Sequence, residues 1–252
     1  MRKPIIAGNW KMHNTIKEAV GLVNGLKREL SSITEVDIVV CPTYTALSDV
    51  NELLVGSNIK LGAQDVYWEE KGAFTGEVSS QMLKDTGCSY VIIGHSERRI
   101  YFYETNETVN KKLKAVLAAG LLPIVCVGEQ LEEREAGKTF DVVKNHVEGS
   151  LSGLSSEDIK KTIIAYEPVW AIGTGKTATP KQAEEVHKYI RELVAKLFGE
   201  EIAAGVRIQY GGSVKPENVK EIMAEEDVDG ALVGGASLKI DLFSHIVKGA
   251  VR

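Results

Sequence analysis

The stretch TIIAYEPVWAIGTGKTATPKQAEEVHKYIRELVAKLF, residues 162–198, contains the pattern that decides the fold. It opens with a short apolar, β-branched run, passes through a glycine-rich loop and ends in a long amphipathic segment. A continuous apolar run is typical of a strand buried on both faces, and the amphipathic segment has helical spacing. The stretch therefore predicts one strand–loop–helix unit.

The helix of this unit carries its own start signals. Thr179 can serve as the N-cap, Pro180 suits the first helical position, and Gln182 completes a capping box. These residues predict a helix over 180–198.

Similar apolar runs recur along the chain and are separated for the most part by amphipathic segments such as TIKEAVGLVNGLKREL (15–30). Strand–helix alternation predicts a parallel sheet. Eight such units in 252 residues fit an α/β protein with a single-domain (β/α)8 barrel of eight parallel strands over residues 1–252. A doubly wound open sheet is the alternative. The eight runs are IIAGN (5–9), DIVVC (37–41), IKLGA (59–63), YVIIG (90–94), LPIVCVG (122–128), TIIAYE (162–167), VRIQYGG (206–212) and GALVGG (230–235).

Composition narrows the class of protein. A net charge of −5 disfavours a nucleic-acid-binding protein, which needs a basic face. Cys41, Cys88 and Cys126 form no C-x-x-C pair, which disfavours structural zinc and fits a reducing compartment. No run is long enough for a membrane span or a signal peptide. We predict a cytoplasmic protein without a nucleic-acid or membrane partner.

The segment GTGKT (173–177) looks like the end of a nucleotide-binding loop but fails both nucleotide motifs. A P-loop requires glycine at position 170, where this chain has Trp170. A dinucleotide fingerprint must follow its strand directly, and residues 168–172 intervene here. The glycines therefore need another explanation.

Polar and glycine residues stand at the carboxyl ends of most predicted strands. In a barrel these ends lie on one face, which is where active sites are built. We therefore expect residues that are distant in sequence to meet there. They are Asn9 and Lys11 after strand one, Gln64 after strand three, His95 and Glu97 after strand four, Glu167 after strand six, Gly211, Gly212 and Ser213 after strand seven, and Gly234 and Gly235 after strand eight.

Five motifs in order, AGNWKM (7–12), IIGHSERR (92–99), AYEPVWAIGTGKT (165–177), QYGGSV (209–214) and GALVGGASL (230–238), closely resemble the triosephosphate isomerase family. The similarity runs from residue 5 to about residue 250. It implies a TIM barrel that interconverts dihydroxyacetone phosphate and D-glyceraldehyde 3-phosphate through an enediol, in glycolysis and gluconeogenesis. It also implies no cofactor and no metal.

The resemblance implies a role for each strand-end side chain. Glu167 would be the base, and we expect burial to raise its pKa. His95 would be a neutral electrophile at a helix start, and Lys11 would supply positive charge for the substrate phosphate and the developing oxyanion. Asn9 would orient Lys11 and a substrate oxygen. Glu97 would lie near Lys11, with its role left open.

The loop after Glu167 would form a lid whose hinges are residues 168–170 and 176–178, and its closure would exclude water. The phosphate would rest on backbone amides of Gly173, Ser213, Gly234 and Gly235, beside Asn9 and Lys11. The lid residues are Pro168, Val169, Trp170, Ala171, Ile172, Gly173, Thr174, Gly175, Lys176, Thr177 and Ala178.

The segment 64–79 is long for its position and carries Tyr67, Trp68 and Phe74 among glycines. Exposed aromatic side chains indicate a partner surface. The resemblance implies a homodimer in which Thr75 docks near the catalytic residues of the other subunit. Packing of the segment on its own barrel is the alternative.

Two other functions fit a phosphate-binding barrel. A related phosphosugar enzyme is the first, either another ketose–aldose isomerase or an aldolase, for which Lys11 is the best Schiff-base candidate. A non-catalytic phosphate-binding barrel is the second, although binding alone requires neither Glu167 nor His95.

Overall fold

The computed structural model describes residues 2–171 and 178–252, and in this part of the chain eight parallel strands close into a barrel. Each strand pairs with the next along the chain, and β8 pairs with β1. The predicted (β/α)8 barrel is therefore confirmed, and the open-sheet alternative is wrong.

All eight strands lie within the predicted apolar runs. The last residues of several runs fall outside the strands, because the chain turns there into the loops that build the active-site face. The strands are β1 (Ile5–Asn9), β2 (Asp37–Cys41), β3 (Ile59–Ala63), β4 (Tyr90–Ile93), β5 (Leu122–Val127), β6 (Ile163–Tyr166), β7 (Arg207–Tyr210) and β8 (Gly230–Val233).

Helices connect the strands on the outside of the barrel. Short 3-10 turns also occur at Tyr44–Ala46, Val169–Ala171 and Gly235–Leu238. The helices of the described residues are α1 (Ile16–Leu30), α2 (Leu47–Leu54), α3 (Ser80–Asp85), α4 (Ser96–Tyr101), α5 (Asn106–Ala118), α6 (Leu131–Glu135), α7 (Thr139–Ser150), α8 (Ser156–Lys160), α9 (Pro180–Phe198), α10 (Glu200–Gly205), α11 (Val219–Met223) and α12 (Ile240–Gly249).

The predicted start of α9 is confirmed in atomic detail. The Gln182 N–H donates to the Thr179 hydroxyl oxygen at 3.2 Å, and the Thr179 N–H donates to the Gln182 side-chain oxygen at 2.9 Å. Pro180 begins the helix, where its missing N–H is not needed. These bonds satisfy two backbone groups that would otherwise lack partners at the helix end.

The strands are apolar throughout because both of their faces are buried. In β1, Ile5 and Ala7 belong to a cluster inside the barrel, whereas Ile6 belongs to the larger cluster between barrel and helices. Side chains of a strand alternate between its faces, so each strand contributes to both layers. Among the described residues, no helix has the length and apolar character needed to cross a membrane.

One buried histidine makes stability depend on pH. His187 lies between the rings of Tyr166 and Tyr210, and its burial lowers the pKa from 6.5 to about 4. Between these values the unfolded chain binds a proton that the folded chain does not. Stability contributed by the neutral ring is therefore lost as pH falls, by roughly 3 kcal/mol at pH 4.

We expect His187→Gln to flatten this acid-side loss, because glutamine takes up no proton in either state. The measurement is the free energy of unfolding in urea at several pH values from neutral down to about 4.5. His245→Gln, which replaces an exposed histidine, is the control and should keep the wild-type slope. Equal slopes for His187→Gln and wild type would contradict the prediction.

Candidate active site

A cavity of about 860 Å³ opens at the carboxyl ends of the strands. Its walls include Asn9, Lys11, His95 and Glu167, which come from three different strand ends. The glycine-rich loops after β7 and β8 complete the walls, so the structure brings together most of the residues singled out from the sequence. The loop residues are Gly211, Gly212, Ser213, Gly234 and Gly235.

Glu167 and His95 form the buried centre of the site. Glu167 Oε1 lies 2.9 Å from His95 Nε2, and the two residues are only 2% and 5% exposed. The Ser96 N–H donates to Glu167 Oε2 at 3.0 Å, and the Ser96 hydroxyl donates to Oε1 at 3.4 Å. The carboxylate is thus held by the start of α4. The role of Ser96 was not predicted, although it directly follows His95.

The neighbouring strands approach Glu167 so closely that side chains are excluded. A Cβ on Gly128 would stand 1.8 Å from the Glu167 carbonyl oxygen. A Cβ on Gly211 would stand 2.9 Å from Glu167 Cγ. Both contacts are too short for any residue with a side chain, so these glycines are required by the position of Glu167.

The pKa of Glu167 lies below its ordinary value in this arrangement. Burial raises it, but the His95 ring and the Ser96 N–H favour the charged carboxylate and outweigh burial. Our expectation of a raised pKa is therefore wrong for the arrangement in which Glu167 contacts His95 and Ser96. It took burial into account but not these two partners.

His95 is the N-cap residue of α4, which agrees with the helix start predicted at this position. The Glu97 N–H donates to His95 Nδ1 at 3.2 Å, so Nδ1 is unprotonated and Nε2 carries the hydrogen. Burial lowers the pKa of the ring, but contact with the Glu167 carboxylate raises it by more, to above its ordinary value. Glu167 makes the larger contribution to this increase and Glu97 a smaller one, so the pKa of His95 falls when Glu167 separates from the ring.

Lys11 brings a positive charge to the rim of the cavity. The Lys11 Nζ lies 2.5 Å from Glu97 Oε1. The backbone N–H of Lys11 donates to Asn9 Oδ1 at 3.0 Å. A Cβ on Gly234 would be 3.5 Å from Lys11 Cε, so the lysine side chain passes beside the loop after β8. Glu97, whose role the sequence left open, is therefore the ionic partner of Lys11.

The start of the predicted lid is anchored by a buried acid that sequence reasoning missed. Glu129 Oε1 accepts from Trp170 Nε1 at 2.9 Å and from the Tyr166 hydroxyl at 3.1 Å, and the Glu129 carbonyl accepts from the Val169 N–H at 3.1 Å. Glu129 follows β5, so the strand-end pattern could have identified it. The predicted lid residues 172–177, including Gly173, lie outside the described residues. Ala178 at the far hinge is buried.

Cys126 lies next to the centre of the site but is not a candidate nucleophile. Burial, together with the nearby Glu167 carboxylate, raises the pKa of its thiol well above the ordinary value. A neutral thiol is a poor nucleophile and a poor metal ligand. In the described part of the chain, no three His, Cys, Asp or Glu side chains are grouped as metal ligands.

Comparison with known proteins places the chain in a family. The family model described as triosephosphate isomerase matches residues 4–250. The chain belongs to the triosephosphate isomerase family. The family predicted from the five sequence motifs is thereby confirmed.

Individual triosephosphate isomerases are similar over their whole length. The chain is 61% identical over 251 residues to "Triosephosphate isomerase" of Carboxydothermus hydrogenoformans, covering 100% of both chains. It is 60% identical over 248 residues to that of Geotalea uraniireducens, covering 98% of this chain and 99% of the relative. It is also 60% identical over 247 residues to that of Thermoanaerobacter pseudethanolicus, with the same coverage.

Proposed function

We propose that Glu167, His95 and Lys11 carry out the interconversion of dihydroxyacetone phosphate and D-glyceraldehyde 3-phosphate. Membership in the triosephosphate isomerase family makes the chain an isomerase of triose phosphates, an enzyme of glycolysis. The assignment of steps to residues is our proposal. The proposal depends on one observation: Glu167 and His95 are in buried contact, and both line the same cavity as Lys11.

The isomerisation moves a proton between two neighbouring carbons while the carbonyl moves in the opposite direction. Glu167 removes the proton from the carbon next to the carbonyl and returns it to the other carbon. The Nε2–H of His95 donates to the oxygen on which negative charge develops. His95 also moves the hydroxyl proton between the two oxygens, so that the old carbonyl oxygen becomes a hydroxyl and the old hydroxyl oxygen becomes the new carbonyl. The ammonium of Lys11, at the rim of the cavity, stabilises the same charge.

Substrate binding can strengthen Glu167 as a base. The present contacts of its carboxylate with His95 and Ser96 favour the charged form. A substrate that engages His95 would release Glu167 from these partners, whereas the carboxylate would stay buried. Burial then becomes the dominant influence and raises the pKa. The same separation removes the carboxylate contact that favours a protonated ring, so His95 stays neutral as the proposed electrophile requires.

The phosphate is proposed to bind between the loops after β7 and β8. Ser213, Gly234 and Gly235 line this part of the cavity beside Lys11. Backbone N–H groups of glycine-rich loops can approach an anion closely because no side chain intervenes. The chain after Gly234 forms a 3-10 turn at Gly235–Leu238, which also presents backbone donors at its start.

The proposed chemistry is tested by following D-glyceraldehyde 3-phosphate by proton NMR in deuterium oxide. We expect dihydroxyacetone phosphate to form with some deuterium on the carbon that receives the proton, because a carboxylate base exchanges with solvent. Product formation with no deuterium would contradict a base that exchanges with solvent, and absence of turnover would contradict the activity.

The aldolase alternative requires a lysine that forms a Schiff base. Lys11 Nζ is instead paired with Glu97, and an ion-paired ammonium is a poor nucleophile. Borohydride reduction in the presence of substrate should therefore leave the enzyme active and without covalent label.

A homodimer is the association that the surface favours. Phe74, Tyr101 and Phe102 are 40%, 68% and 62% exposed, which is unusual for aromatic side chains of a monomer. The Arg98 guanidinium lies 4.6 Å from the Phe102 ring centre, and its Nε is 2.9 Å from Asp65 Oδ2. Arg98 therefore connects the region around 98–102 to the segment 64–79.

Not every aromatic side chain of this segment is free for a partner. Tyr67 and Trp68 are half-buried and pack against each other at 4.1 Å between ring centres, and Phe74 packs on Tyr67 at 4.8 Å. This cluster supports the shape of the segment 64–79. Thr75 stands exposed beside it, at the position proposed to dock into a second copy of this chain.

We expect Thr75→Arg to give monomers with strongly reduced activity, because a buried, unpaired guanidinium is costly in an interface. Analytical ultracentrifugation and steady-state kinetics measure the two effects. Thr34→Arg, at an exposed threonine between α1 and β2, is the control and should behave like wild type. A Thr75→Arg protein that sediments as an intact dimer would contradict this interface.

Two further predictions from the sequence stay predictions. A single domain over residues 1–252 is supported by the pairing of β1 with β8, which come from opposite ends of the chain. A cytoplasmic location is supported by the free, buried cysteines Cys41, Cys88 and Cys126.

A further inference from the structure

Lys11 has a backbone conformation that lysine rarely adopts. Its φ is +53°, in the left-handed region, where the Cβ of an L-residue crowds the following carbonyl group. Such a conformation persists only where the surrounding structure holds it. The backbone groups of Lys11 should therefore have specific partners.

Two side-chain amides provide these partners. The Lys11 N–H donates to Asn9 Oδ1 at 3.0 Å, and the Lys11 carbonyl oxygen accepts from Gln64 Nε2 at 2.8 Å. Asn9 is the last residue of β1 and stands two positions before Lys11, so this bond is local. Gln64 directly follows β3, so its bond to Lys11 is a tertiary contact between segments that are distant in sequence.

Gln64 also connects Lys11 to the strand between them. Its Nε2 donates to the Cys41 carbonyl oxygen at 2.9 Å, and Cys41 is the last residue of β2. The same carbonyl oxygen accepts from the Trp10 N–H at 3.1 Å. Both amide hydrogens of Gln64 are thus used: one binds the Lys11 carbonyl oxygen, and the other binds the Cys41 carbonyl oxygen that also holds the Trp10 N–H.

We propose that Gln64 is a positioning residue, which acts by holding the Lys11 backbone in the left-handed conformation that directs the ammonium to the cavity. In the described part of the chain, Gln64 is not among the residues that line the cavity, so it acts through Lys11. The proposal rests on the proposed function, in which the Lys11 ammonium stabilises the phosphate and the developing charge. A change of φ at Lys11 redirects its Cα–Cβ bond, and a long side chain amplifies this change at Nζ.

The chain contains a matched amide that makes the same kind of contact away from the site. Asn58 Nδ2 donates to the carbonyl oxygens of Leu30 and Ile33, at 2.7 and 2.6 Å. It ties the end of α1 to the residues before β3 and contacts none of the proposed catalytic side chains. Replacement of Asn58 therefore measures how much stability and activity depend on a purely structural amide bridge.

The test compares Gln64→Met with Asn58→Leu, since each change removes both donors at similar side-chain volume. We expect Gln64→Met to lower kcat/KM by roughly 10- to 100-fold, because small displacements of a catalytic group have effects of this size. Asn58→Leu should lower the melting temperature and leave kcat and KM at their wild-type values. Wild-type kcat/KM in a folded Gln64→Met protein would overturn the proposal.

A second comparison separates positioning from general damage. In a Lys11→Met background there is no ammonium to position, so adding Gln64→Met should cause no further loss of kcat/KM. An equal loss in both backgrounds would show a structural effect and overturn the proposal. If Gln64→Met does not fold, Gln64→Asn replaces it, since its shorter amide cannot reach both carbonyl groups from β3.

The Lys11→Met protein also distinguishes failure of the proposed function from failure of the proposed role of Gln64. Full activity of Lys11→Met would show that the proposed function of Lys11 is wrong. A large loss in Lys11→Met together with wild-type activity in Gln64→Met would leave the function of Lys11 in place and overturn only the role of Gln64.

Discussion

Glu167→Gln is expected to lower kcat by roughly 10²- to 10⁴-fold, the range that a positioned general base contributes. Glutamine has nearly the same shape and can still accept from the Ser96 N–H, so the fold should be retained. What it cannot do is take a proton from carbon. The measurement is kcat in both directions, with circular dichroism as the test of folding.

Deuterium exchange makes this prediction specific to proton transfer. Glu167→Gln should lose incorporation of deuterium into product to the same extent as it loses turnover. Glu217→Gln is the control, because Glu217 is a carboxylate of the same cavity wall but is exposed, whereas Glu167 is buried. Normal exchange in Glu167→Gln would mean that another group is the base.

Lys11→Met is expected to lower kcat/KM by roughly 10²- to 10³-fold, which is the usual effect of removing one charged or hydrogen-bonding group from developing charge. Methionine keeps the apolar length of the side chain and removes the ammonium. Stability should change little, because the Lys11–Glu97 pair is partly exposed to solvent. We therefore expect Lys11→Met to lower kcat/KM and to leave the melting temperature nearly unchanged.

Affinity for inorganic phosphate as a competitive inhibitor provides the second measurement for Lys11. It should weaken in Lys11→Met, because the ammonium lies beside the loop proposed to hold the substrate phosphate. Lys239→Met is the matched control, since Lys239 is an exposed lysine of the same cavity wall. Equal losses in the two variants would indicate a general effect of positive charge and contradict a specific role for Lys11.

The local elements of this protein were predictable because their causes are local. The capping residues Thr179, Pro180 and Gln182 start α9 through contacts within four positions of each other. Each strand was predicted from an apolar run, since burial on both faces demands one. Parallel pairing then requires the strand ends to share one face, which is why Asn9, His95 and other residues distant in sequence could be expected to meet.

Tertiary structure alone decided how the residues at the strand ends act on one another. Burial of Glu167 was expected, but the direction of its pKa depends on the Ser96 N–H and the His95 ring, which arrive from another strand. The left-handed backbone of Lys11 likewise has its long-range partner, Gln64, directly after β3. A pattern along the sequence determines which faces are buried and which residues converge. Distances of about 3 Å, which set hydrogen bonds and charge, depend on the packing of distant segments.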